Sequence, residues 1–216
     1  GVDMATFKSE VLHQSYRGRL RPATHYTLGR LPRWAALAGR APRVVNTLAK
    51  LPGVASAGLT LAGVDRRRRV PEFAPRTFRR WFADTAAERR TDGEPVLLFV
   101  DTFTEYFTPE VAIAAVRVLE SAGRRVCVTE KQQCCGLTWI TTGQLDTARK
   151  ILGRTISALF PAGMAAVGLE PSCTAVLRSD AVELLGFEPA RAVADSTVTL
   201  AELLGDSEPP SLSGTS

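Results

Sequence analysis

The stretch VLLFVD, residues 96–101, is a near-continuous apolar run that ends on a carboxylate. A strand with one wet face alternates apolar and polar residues, whereas a strand buried on both faces does not, so this run reads as a strand of a parallel sheet. Its surroundings agree. In TPEVAIAAVRVLESAG, residues 108–123, Thr108 is an N-cap, Pro109 takes the first helical position, Glu110 lies in the positive first turn and Gly123 falls past the end. RRVCVTE (124–130) reads as a second strand, GQLDTARKILGRTISALF (143–160) as an amphipathic helix stopped by Pro161, and MAAVGLE (164–170) as a third strand. CTAVLRSDAVELLG (173–186) supplies a third helix, and ARAVADSTVTLAELLG (190–205) a shorter strand and helix. Repeated strand–helix units predict an α/β fold, a parallel sheet with flanking helices.

Upstream the text changes. Residues 4–16, 32–38, 43–51 and 54–64 read as helices broken by proline and glycine, with no strand signal between them. DRRRRVPEF (65–73) is a basic connector. PRTFRRWF (75–82) mixes arginines with aromatics, and reads either as a phosphate or RNA binder or as a linker whose aromatics dock on the next domain. Residues 1–94 hold 18 Lys and Arg against 8 Asp and Glu, while 95–216 hold 9 against 14. The expected organisation is a helical, basic region and linker at 1–94, an α/β domain at 95–204 and a polar tail at 205–216. No run of about eighteen apolar residues and no secretory leader is visible, so the expected location is the cytoplasm. The opening GVDMATF, without an initiator methionine, and the polar ending suggest a segment of something longer.

In open α/β sheets ligands bind beyond the carboxyl ends of the strands. After the first strand stands Asp101; after the second, KQQCCGLTW (131–139) with Cys134, Cys135 and Gly136; after the third, Glu170, Pro171, Ser172 and Cys173. Three of the four cysteines thus fall at one edge, and the fourth, Cys127, lies mid-strand as a small apolar residue. Without export signals, such thiols are more suited to ligation or redox work than to a disulfide framework. Cys173 is placed at the positive end of a helix, where a thiolate or the sulfurs of a bound cluster meet free N–H groups. Gly136 permits a close backbone approach or a positive φ after the pair.

These residues carry a resemblance. Asp101, Cys134-Cys135-Gly136 and the sequence Glu170-Pro171-Ser172-Cys173 resemble one copy of the cysteine-rich CCG module found in heterodisulfide reductase, anaerobic glycerol-3-phosphate dehydrogenase and lactate and glycolate oxidation systems. DTFTEYFTPEV (101–111), GLEPSC (168–173) and GVDMATFKSEVLHQSYRGRLRP (1–22) are closer still to FAD-linked, iron–sulfur-binding oxidoreductases of the D-lactate dehydrogenase type. The resemblance implies an iron–sulfur cluster, 4Fe-4S in type, at Cys134, Cys135, Cys173 and Asp101, with Gly136 and Glu170 beside it, and FAD in a part upstream. It implies flavin and ferredoxin-like domains of the same polypeptide as partners, a quinone or other electron acceptor, no nucleic acid, and a location compatible with peripheral membrane association. Asp101 and Glu170 depart from the fuller module, which has cysteines there, and a carboxylate is a harder ligand than a thiolate.

A second reading is a structural zinc or thiol module at the same residues. A nucleic-acid module would rest on the arginine run alone. No Ser-His-Asp or Cys-His pairing is visible: His13 reads as a helix-surface residue and His25 as a structural one, and no G-x-G-x-x-G or P-loop follows a strand.

Overall fold

The computed structural model describes residues 3–51 and 53–205. Its first part is helical: α1 Met4–Ser15, α2 Ala23–Thr27, α3 Leu31–Ala38, α4 Pro42–Lys50, α5 Val54–Leu61 and α6 Phe78–Asp84. Asp3 caps α1, accepting from the Ala5 N–H at 2.8 Å, and α3 and α4 each carry a proline in the first turn, where its missing N–H costs nothing. The sequence reading has no helix at α2 or α6. Thr77 caps α6 by accepting from the Arg80 N–H, and the helix sinks Phe78 completely, with Trp81 and Phe82 at 5.8 and 5.6 Å between ring centroids. The aromatics of PRTFRRWF are therefore docking groups: Phe78, fully buried, contributes roughly 1.5–3 kcal/mol of apolar transfer, and Trp81 and Phe82, partly buried, pack against the same core.

From Glu94 the chain alternates: β1 Glu94–Phe99, α7 Thr102–Tyr106, α8 Pro109–Ser121, β2 Arg124–Cys127, α9 Leu137–Thr141, α10 Leu145–Leu159, β3 Ala166–Gly168, α11 Pro171–Ala175, α12 Ala181–Leu185, α13 Glu188–Ser196, β4 Thr197–Thr199 and α14 Leu200–Gly205. A π-helical turn, Val176–Asp180, joins α11 to α12. The four strands pair in parallel in the order β2-β1-β3-β4, with Leu97 opposite both Cys127 and Ala166. This is an α/β fold with a parallel sheet and flanking helices. The shorter strand expected at the start of 190–205 is confined to β4, because Pro189 and alternate alanines start a helix first. The polar tail expected at 205–216 lies outside the described residues, apart from Gly205 at the end of α14.

Successive β1 side chains point to opposite faces and both are covered. Leu97 and Phe99 join a core with α9, α10, α12 and α13; Val96, Leu98 and Val100 join another with Phe78 and α8. That is the physical reason the strand carries no polar alternation. From β1 the chain moves outward to β2, then returns across β1 to β3 on its other side. The carboxyl ends of β1 and β3 therefore border the crevice where the winding reverses, the place such sheets reserve for ligands.

The N-terminal helices lie against this unit without a core of their own: between residues 3 and 61 only Ser9, Gly29 and Ala35 are buried among the described residues. One strap is Arg21, which donates to the carbonyls of Thr142 and Gly143 at 2.7 and 2.8 Å. Among the described residues no helix is long and apolar enough to cross a membrane.

Candidate cysteine site at the sheet edge

Asp101, Cys134, Cys135, Glu170 and Cys173 line one cavity of about 200 Å³, closed by Leu31, Pro32, Phe103, Leu137 and Thr138. Cys135 and Cys173 are buried and their sulfurs lie 2.8 Å apart. Cys134, half-buried, accepts from the Gly136 N–H at 3.4 Å. Cys127 lies in β2, packed against the core rather than on the cavity wall.

Local structure explains the placement. Gly136 has φ +81°, a left-handed turn that lets the chain leave the cysteine pair straight into α9. At the end of β3, a Cβ on Gly168 would run into the Thr174 hydroxyl, so only glycine lets α11 press onto the strand with Cys173 in its first turn. Thr155, buried in α10, donates to the Cys134 carbonyl at 2.8 Å.

The two carboxylates do not stand free. Asp101 caps α7, Oδ1 accepting from the N–H groups of Phe103 and Thr104 at 2.8 and 3.2 Å while Oδ2 accepts from the Thr104 hydroxyl. Glu170 caps α11, accepting from the Cys173 N–H at 2.7 Å and the Ser172 hydroxyl at 2.9 Å. Burial pushes the Glu170 carboxyl up, but those hydrogen bonds outweigh it and hold it below the usual range. The positive helix end expected to serve Cys173 is thus already answered by Glu170.

The thiols lean the other way. Donation to Cys135 and burial push the Cys134 thiol up. Cys135 is drawn down by that same bond, but contact with Cys173 and burial outweigh it and raise it too. Without a bound cation, Cys134 and Cys135 are held as neutral thiols, and a metal has to displace their protons to bind.

Sequence reasoning missed Leu31 and Pro32, which roof the cavity from the N-terminal helices, and Thr155. The last had a signal: a threonine on the apolar face shared by Leu145, Ala148, Leu152, Ile156 and Leu159 is a polar group that needs a partner. His13 and His25 stay away from the cavity.

Residues 99–178 match the family model of the CCG cysteine-rich domain. Among curated proteins the chain is 29% identical over 149 residues to a subunit of the anaerobic glycerol-3-phosphate dehydrogenase of Escherichia coli, an alignment covering 67% of this chain and 38% of that protein. It is 32% identical over 114 residues to lactate utilization protein A of Bacillus velezensis, covering 50% and 47%. A shorter match, 37% over 67 residues, joins it to a subunit of the fumarate reductase (CoM/CoB) of Methanothermobacter marburgensis, covering 31% and 14%. The chain spans less than half the length of each of these relatives. No solved structure matches it.

An iron–sulfur group is what such a domain implies, and the cavity fits it in kind. Three soft thiols meet an apolar space, and Thr138 Oγ1 in its wall is buried without a hydrogen-bond partner, ready for an acceptor. The coordination is not preformed: among the described residues no three His, Cys, Asp or Glu side chains are arranged to hold a metal ion as they stand.

Proposed function

We propose that this chain is the electron-transfer segment of a flavin and iron–sulfur dehydrogenase of 2-hydroxyacids, of the D-lactate or glycolate type, passing electrons from flavin to an acceptor. Three thiols, two from the loop before α9 and one from the first turn of α11, gathered on one apolar cavity at the reversal point of a parallel sheet, carry the reading. Relatives named as dehydrogenase and reductase subunits, and one as a lactate utilization protein, support it. Cys134, Cys135 and Cys173 would hold the iron–sulfur group, which supplies one-electron transfer when bound. Gly136 and Glu170 shape its surroundings, Gly136 by its turn and Glu170 by fixing the Cys173 backbone. Asp101 is a weaker candidate ligand, since both its oxygens already serve α7. Leu31, Pro32 and Phe103 give the cavity part of its apolar wall.

On this reading residues 1–94 form a helical basic region and linker, 95–204 the redox module and 205–216 a polar tail. FAD and a ferredoxin-like part belong to the same polypeptide, and the acceptor is a quinone or similar carrier. The test is anaerobic purification of the whole natural protein and its Cys173→Ser variant. The variant is expected to lose visible iron–sulfur absorbance and acceptor reduction while its hydroxyacid still reduces the flavin. Retention of both colour and acceptor reduction refutes the reading.

A second reading, a structural zinc or thiol scaffold, is favoured by the direct contact between the Cys135 and Cys173 sulfurs. Stoichiometric zinc without colour would establish it.

A further inference from the structure

The loop that carries the cysteine pair makes no main-chain ladder. Residues 129–135 contribute no backbone–backbone hydrogen bond outside helices and strands among the described residues. Its shape has to come from side chains, and Arg79 makes three of those bonds. Arg79 of α6 donates through Nη1 to the Thr129 carbonyl, through Nη2 to Thr129 Oγ1 at 2.9 Å and through Nε to Gln132 Oε1 at 3.0 Å. Gln132 passes the tie onward, donating to the Val100 carbonyl at the end of β1 at 2.9 Å. Arg79 is itself held from behind by Glu105, which is 2% exposed: their ion-pair atoms lie 3.9 Å apart, and the Arg79 N–H donates to Glu105 Oε1 at 3.4 Å. Burial raises the Glu105 carboxyl, which the nearby guanidinium opposes.

We infer that Arg79 is the positioning residue of the cysteine loop, its guanidinium fork setting residues 129–133 between α6 and β1 so that Cys134 and Cys135 face Cys173. A planar fork reaches a carbonyl, a hydroxyl and an amide oxygen at once; a lysine ammonium, a point charge on a flexible stem, does not. Other bonds are local to the loop, from Thr129 Oγ1 and Gln133 to the Lys131 carbonyl, or act on the pair itself, from Thr155 to the Cys134 carbonyl and between the Cys135 and Cys173 sulfurs. Beside these, Arg79 is the tie that reaches the loop from α6. The inference rests on the cysteines being the functional site, and its readout needs no cluster.

The experiment uses the whole natural protein, metal-free and reduced, and follows alkylation of Cys134 and Cys135 by N-ethylmaleimide with mass-spectrometric location, beside the unfolding midpoint. Arg79→Gln is expected to speed alkylation at both positions at least about tenfold, the factor that losing charge-assisted bonds to a loop corresponds to. Arg79→Lys is expected to recover less than half of that rise. Gln132→Ala, which leaves the Arg79–Glu105 pair in place, is expected to speed it severalfold and decides the matter if Arg79→Gln fails to fold. The control is Arg89→Gln, which breaks an ion pair to Glu120 at 2.9 Å and stacking on Phe82; it should lower the midpoint without changing alkylation. Unchanged alkylation in the folded Arg79 and Gln132 variants, or an equal rise in the Arg89 variant, overturns the inference. Iron missing from the anaerobic wild type would instead sink the electron-transfer reading while the alkylation rates still judge Arg79.

Discussion

Residues 94–205 and residues 3–61 are both rich in helix, yet they treat apolar side chains in opposite ways. The first region closes two cores, one on each face of its sheet. The second leaves Phe7, Leu20, Trp34, Val44, Leu48 and Leu61 exposed, Leu20 at 90%. A sheet gives its helices a common surface to cover, whereas short helices in series have only one another and whatever lies beside them. The difference teaches that the α/β unit, with α6 added to it, buries its own apolar faces, while residues 3–61 leave theirs for a neighbour, which on the proposed function is a flavin or ferredoxin-like part of the same polypeptide.

The sharpest way to break this comparison is to empty the core. Ile156→Ala, at a fully buried position of α10, is expected to cost about 2–5 kcal/mol in denaturant unfolding. Next comes the strap between the regions: Arg21→Ala removes two bonds to carbonyls at the end of α9 and a stack on Tyr16 at 5.2 Å. A loss of about 1.5–3 kcal/mol of docking should appear as faster proteolysis within residues 1–61, with the α/β unit still resistant.

A smaller effect is electrostatic. Hydrogen bonds from Arg178 and Thr199 pull Glu202 down from 4.5 to about 2. A folded value below the unfolded one means the contribution is present above 4.5 and disappears as pH falls toward 2. Glu202→Gln should therefore lower the unfolding midpoint at neutral pH, and the gap to wild type should close through that acid window. The least effect belongs to Leu48→Ala, an exposed site of α4, with a change within about 0.5 kcal/mol in the isolated chain. A cost there rivalling Ile156→Ala would erase the contrast between the regions.

How much of this was legible depends on what the local sequence must satisfy. VLLFVD could be read because a strand covered on both faces has little choice of residue, and the α8 caps are local chemistry. Convergence of Asp101, Cys134, Cys135 and Cys173 followed from reading each strand end, since parallel topology puts those ends on one side. The capping role of Asp101 had a signal in DTFT, an aspartate ahead of a helical turn with threonine at its third position. Glu170 had less, because glutamate is not among the favoured N-caps, and its role depends on Cys173 N–H pointing back at it. Helix α6 was hidden by its arginines, one of which turns inward to an acid 26 residues further along the chain, a pairing that no window around residues 75–82 contains.

The strand order carries a consequence for timing. Cys135 and Cys173 touch across 38 positions of sequence, and they meet only once β3 has docked on β1, past the earlier β1–β2 pairing. During synthesis the cysteine pair leaves the ribosome well before its third partner, and no local element can hold the three together in the interval. A cofactor held by all three thiols at this edge therefore needs the sheet closed, and its binding and that closure are linked in free energy.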